Sequence, residues 1–203
     1  MVRIEKFIFS VIIGGVFPLL FLLSGFTIWF YYFKDEIGIE TILIPLVLIS
    51  LVIYVLFIHK WKMKIYDLPK WFLVFVYLIF NIGMFGMLMG FPAFNLFWGV
   101  VAGYYYGKRL KHLKLVEEVQ LKHKERVAIF TSLIMLLICI GTGLIVLIDK
   151  YIGADLQNMF SIESTISRPL ISGITVLGGI VLTISQYFVT LITLNKILPS
   201  NRV

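Results

Sequence analysis

The chain reads as an all-α membrane protein, a polytopic bundle of six transmembrane helices with both termini in the cytoplasm. Three observations lead there. Of its 203 residues, 60% are hydrophobic and only 14% charged, with a mean hydropathy of +0.99. Soluble domains carry roughly 45–50% apolar and about 25% charged residues. The apolar residues also fall into long runs, and a helix crosses the hydrocarbon core with about 20 of them. Finally, lysine and arginine gather in alternate connections, the bias that marks cytoplasmic loops.

The first span covers 7–33. It is much longer than the roughly 7–15-residue core of a signal peptide and lacks a small-x-small cleavage site, so it is expected to be retained. Its length allows tilt, and Pro18 predicts a kink. The second span, 39–58, is nearly all Ile, Leu and Val and is expected to be peripheral and lipid-facing. Spans three and four, at 71–89 and 91–106, are joined by a very short turn, which predicts a tightly packed hairpin. Alternatively, Gly90–Asn95 forms the tip of a re-entrant hairpin buried in protein. Segment 108–126 is charged and lacks Gly and Pro; Leu110, Leu113, Val116 and Val119 recur at threes, which suits a cytoplasmic helical arm. Glu118 and Lys122 add a favourable i,i+4 pair. The fifth span is 127–148 and the sixth 170–194. Between them lies the external loop 149–169, where Leu156, Met159 and Phe160 suggest a short interfacial helix. The whole chain, 1–203, is expected to form a single transmembrane domain.

Orientation follows from the charges. Lys60, Lys62, Lys64 and Lys70 follow span two, and seven cations from Lys108 to Arg126 follow span four. The opposite connections lean acidic, with Asp35, Glu36, Glu40, Asp149, Asp155 and Glu163. Six crossings put both basic loops, Arg3, Lys6, Lys196 and Arg202 on one side, expected to be the cytoplasmic face of the cell membrane. The same clustering explains the net charge of +7 and pI near 9.5 without nucleic acid.

Within lipid, small and polar residues are the informative ones, because they allow close helix packing and interhelical hydrogen bonds. Span four carries Asn95, Gly99, Gly103 and Gly107 at steps of four; span three carries Gly83, Gly86 and Gly90, with Asn81 one turn away. These stripes are expected to pack against each other. Span six carries a polar stripe that includes Gly179, Thr183, Gln186, Thr190 and Thr193, matched more weakly in span five by Ala128, Ser132, Cys139 and Thr142. The stripe either knits helices together or lines a polar cavity, with Asn81, Asn95, Gln186, Thr183 and Thr190 as ligand-binding groups.

Several chemistries find no residues to carry them. No Asp, Glu, Lys, Arg or His lies well inside a span, which argues against a proton relay. There is no His-Glu-x-x-His helix and no nucleotide-binding Gly-rich loop. His59, His112 and His123 lie in basic loops without metal-ligand spacing, and Cys139 stands alone. No catalytic residue, metal or cofactor is expected.

Two functional expectations remain. One is a small membrane transport component, not an enzyme, binding an uncharged or weakly polar solute among spans three to six. In span number and size alone, the chain resembles the substrate-binding membrane subunits of vitamin transporters that dock onto an energising module. The other is a non-transporting subunit or scaffold. Its partners besides the bilayer are other membrane subunits or a cytoplasmic protein, bound through small-residue helix faces and the basic arm. Lys111, Lys114, Lys122 and Arg126 are the residues expected to contact a partner or lipid headgroups.

Overall fold

The computed structural model describes residues 2–34, 36–87, 91–149, 152 and 167–198. Every regular element among these is helical, as a lipid solvent requires of a chain that must satisfy its own backbone hydrogen bonds. Among them, four helices are long and apolar enough to cross a membrane: Ile4–Phe33, Ile39–Leu56, Glu117–Ile148 and Arg168–Ile197. The third expected span is a shorter apolar helix, Lys70–Gly86. The fourth starts later than expected, with a 3-10 turn over Pro92–Asn95 and a helix from Leu96 to His112 whose last turn is basic. Residues 88–90, at the expected hairpin turn, and Leu156, Met159 and Phe160 lie outside the described residues. The chain divides into two compact units, Met1–Gly83 and Met84–Val203.

The first unit begins with α1 (Val2–Gly14) and α2 (Val16–Ile28), which continues as a wider π-helical turn over Trp29–Phe33. The interruption at Gly15 has a covalent cause. Pro18 lacks an N–H, and its ring clashes with the carbonyl four residues back, that of Gly14. The path is nonetheless nearly continuous, since Gly15 N–H donates to Val11 at 2.9 Å and Leu19 N–H donates to Gly15 at 3.2 Å. α3 (Ile39–Lys64) packs on this pair where glycine leaves room: the Tyr54 ring lies over Gly14, and Leu46 Cδ1 stands 2.6 Å from where a Gly25 Cβ would be. Among the described residues the outer face of α3 is exposed, including Leu48, Val52 and Val55. That agrees with the lipid-facing role read from its lack of small and polar residues. α4 (Lys70–Met87) leads out of the unit; at Gly83 a Cβ would sit 2.9 Å from Leu19 Cδ2.

Among the described residues, the second unit packs together α5 (Leu96–His112), α6 (Glu117–Ile148) and α7 (Arg168–Ile197). Contacts between α5 and α7 climb together, Gly99 meeting Gln186 and Gly107 meeting Ile197, so these two helices run parallel. Contacts between α6 and α7 run the opposite way: Thr131 meets Thr190, Cys139 meets Gly179, and Gly143 meets Thr175. The ends of α5 and α7 and the start of α6 therefore share one basic end.

Segment 108–126 extends the fourth expected span and folds back into the fifth. Lys108–His112 completes α5, residues 113–116 turn, and Glu117 opens α6. Lys114 takes a left-handed φ of 49°, and Val116 is extended. The spacing of threes is broken accordingly: Leu110 is buried while Val116 is 73% exposed. Glu117 and Glu118 begin the new helix, where acids offset the unsatisfied N–H groups, and Glu118 accepts from Lys122 Nζ at 3.0 Å.

Candidate functional site

The polar stripe of α7 lies at the centre of the second unit. Thr175, Thr183 and Thr193 each donate to the carbonyl four residues back on their own helix, at 2.8–2.9 Å, the local bond open to hydroxyls in a helix. The next contacts cross to α6. Thr131 and Thr190 share a 3.0 Å hydrogen bond, both fully buried, and Ser132 donates to the Thr183 carbonyl at 2.8 Å. Cys139 packs on Gly179, its Cβ 3.3 Å from where a glycine Cβ would be.

Gln186 faces α5. It is 1% exposed, and a Cβ on Gly99 would come within 2.6 Å of its Nε2 and 2.9 Å of Thr190 Oγ1. Gly103 meets the Thr190 backbone and Thr193, and Gly107 meets Ile197. The glycine stripe of α5 is thus a notch for α7. From sequence the stripe is expected to pack on the preceding span; the nearest neighbours of Gly99, Gly103 and Gly107 are residues of α7. Helical spacing identifies which residues share a face, and only the tertiary arrangement decides what fills it. Of the other expected packing glycines, Gly83 meets Leu19, Gly86 has nothing within 4 Å of its Cβ position, and Gly90 lies outside the described residues.

The expected ligand amides divide between the units. Asn81, 2% exposed, belongs to the first and donates to the Tyr77 carbonyl at 2.8 Å. Asn95 and Gln186, each 1% exposed, belong to the second. Thr183 and Thr190 are engaged by the helix contacts above. Lys111, Lys114, Lys122 and Arg126 are all exposed around the turn between α5 and α6.

Two cations counted in the sequence as loop charges are buried instead. Lys124 is 4% exposed; its Nζ donates to Asn195 Oδ1 at 3.2 Å and to the Leu198 carbonyl at 2.6 Å. It therefore caps the C-terminal end of α7, where helix carbonyls carry partial negative charge. Arg109 is 7% exposed, and its guanidinium carbon lies 5.9 Å from the centre of the Tyr106 ring. Its Nη1 is buried with no hydrogen-bond partner among the described residues. A buried ion without counter-charge costs several kcal/mol, and a cation–π contact returns about 0.5–2 of that. A signal for Lys124 was present in the sequence: Lys124, Ala128, Thr131, Met135 and Cys139 follow one another at steps of three and four, and all are buried.

Among the described residues no three His, Cys, Asp or Glu side chains gather as a metal would require. No protein family, curated protein or solved structure matches the chain.

Proposed function

We propose that this chain is a non-transporting subunit of a membrane assembly, holding partner proteins through small-residue helix faces and the exposed basic turn between α5 and α6. The observation that carries this reading is the contrast between the two sides of α7. Its polar side is engaged by α5 and α6 through Gln186 in the Gly99 notch and the Thr131–Thr190 bond. Its other side presents Ile174, Gly178, Val181 and Phe188 at steps of four, three and seven; the three large side chains are exposed, and Gly178 has nothing within 4 Å of its Cβ position. In lipid, a glycine on an otherwise bulky outward face lets a neighbouring helix approach closely. Gly141 on α6 and Gly173 on α7 are open in the same way. The transport expectation has Asn81, Asn95, Gln186, Thr183 and Thr190 contact a solute; the packing of Gln186 and Thr190 supports a structural role for the α7 stripe instead.

In this reading the chain lies in the cell membrane, crosses six times and keeps both ends in the cytoplasm. Support comes from the charge distribution and from the parallel run of α5 and α7 toward the basic end. α4, with 18 residues, is about 27 Å long at ~1.5 Å per residue, just short of a hydrocarbon core of about 30 Å.

The test is purification of the tagged chain from its native membrane in mild detergent, compared with Gly178→Leu. The expected result is an assembly of fixed stoichiometry that the substitution dissolves while the thermal stability of the chain alone is kept. A chain that always purifies alone counts against the proposal. Saturable solute uptake into proteoliposomes, abolished by Gln186→Leu, would establish transport instead.

A further inference from the structure

The second unit carries a buried charge that the packing of α5, α6 and α7 does not use. Arg109 is 7% exposed, and its Nη1 is buried with no hydrogen-bond partner among the described residues. A guanidinium cannot shed its proton, and its planar fork of N–H donors suits a tetrahedral oxyanion bound through two oxygens. The nearby acids are otherwise placed. Glu118 is held by Lys122 at 3.0 Å, Glu117 acts electrostatically on Lys124, and Glu125 is exposed. Lysines flank the position in sequence: Lys108 lies over the Tyr104 ring at 5.3 Å and Lys111 is exposed two residues on; the ring of Tyr106, which neighbours Arg109, lies 6.4 Å from that of His123 on α6.

Depth in the membrane narrows the ligand. Arg109 lies two residues past Gly107, in the basic last turn of α5. That is the level at which a spanning helix leaves hydrocarbon and meets headgroups. We propose that Arg109 anchors an anion site at the basic end of the second unit, and that its ligand is a phosphate group, carried by a phospholipid or free in solution. The neighbouring cations raise the local concentration of the anion; Arg109 supplies the directed, desolvated contact, which is stronger than any exposed lysine provides. This goes beyond the partner-binding reading, because it is tested on the chain alone.

The experiment uses the intact chain purified in phosphate-free detergent, probed with inorganic phosphate and with phosphatidylglycerol. Thermal unfolding and native mass spectrometry are the readouts. Either probe is expected to raise the melting temperature saturably or to stay bound. Arg109→Gln is expected to lose at least about tenfold in apparent affinity, while Arg168→Gln, exposed at the opposite end of α7, keeps it. Retention of phosphatidylglycerol without a response to inorganic phosphate assigns the lipid as source; a response to inorganic phosphate assigns the free anion. Wild-type protein that neither responds to nor retains either probe overturns the proposal, as does Arg109→Gln binding like wild type. Should that variant fail to fold, Arg109→Lys keeps the charge and loses the fork. It is expected to weaken binding about tenfold, and unchanged affinity there overturns the site as well.

Discussion

Lys124 Nζ donates to the Leu198 carbonyl at 2.6 Å across 74 residues of sequence, closing the basic end of α6 onto the end of α7. The contact gives a buried ammonium two acceptors, Asn195 Oδ1 and the Leu198 carbonyl. Hydrogen bonds from charged donors contribute about 1.5–3 kcal/mol each. Lys124→Ala is therefore expected to destabilise the second unit by about 2–3 kcal/mol, and Asn195→Ala by roughly half as much. Equilibrium unfolding in mixed micelles reads both; equal and negligible losses would show that the pair contributes nothing to stability.

The Gly99 notch leads to a steric prediction. A Cβ there meets Gln186 Nε2 at 2.6 Å and Thr190 Oγ1 at 2.9 Å, whereas Gly141 has nothing within 4 Å. Gly99→Ala is expected to cost about 1–3 kcal/mol through overpacking, and Gly141→Ala to stay within about 0.5 kcal/mol of wild type. Side-by-side thermal unfolding checks the contrast, which disappears if α5 and α7 do not meet at Gly99.

The Thr131–Thr190 bond is suited to a double-mutant cycle with valine at each position. Interhelical hydrogen bonds in membranes couple by about 0.6 kcal/mol on average and reach about 1.7. The buried setting and 3.0 Å length of this one place its expected coupling in the upper half of that range. A coupling indistinguishable from zero would mean the two hydroxyls bond only to their own helices.

Sidedness follows from the direction of the helices. The turn at Lys114 and the end of α7 at Lys196 share the basic end, and both residues are exposed. In a Cys139→Ala background, Lys114→Cys and Lys196→Cys are expected to react with a membrane-impermeant thiol reagent from the same face of sealed vesicles. Labelling from opposite faces would rule out a common end. Wild-type Cys139, 9% exposed and packed on Gly179, is expected to resist the reagent in the folded state.

Composition and the spacing of apolar runs were enough to read an all-helical chain with helices long and apolar enough to cross a membrane, because a lipid solvent leaves so few backbone solutions. They also marked α3 as an outward-facing helix and α7 as carrying an inward polar stripe, since a helix repeats every 3.6 residues whatever surrounds it. Only the tertiary structure decided what each stripe meets. The glycines of α5 receive Gln186, Thr190 and Thr193 of α7, and the basic segment turns at Lys114. Arg109 and Lys124, two cations among many in one basic segment, leave solvent for the interior of the unit. The physical reason is that periodicity is a property of one helix, whereas burial depends on the distance to a second. A sequence states the first directly and specifies the second only through the energy of the whole fold.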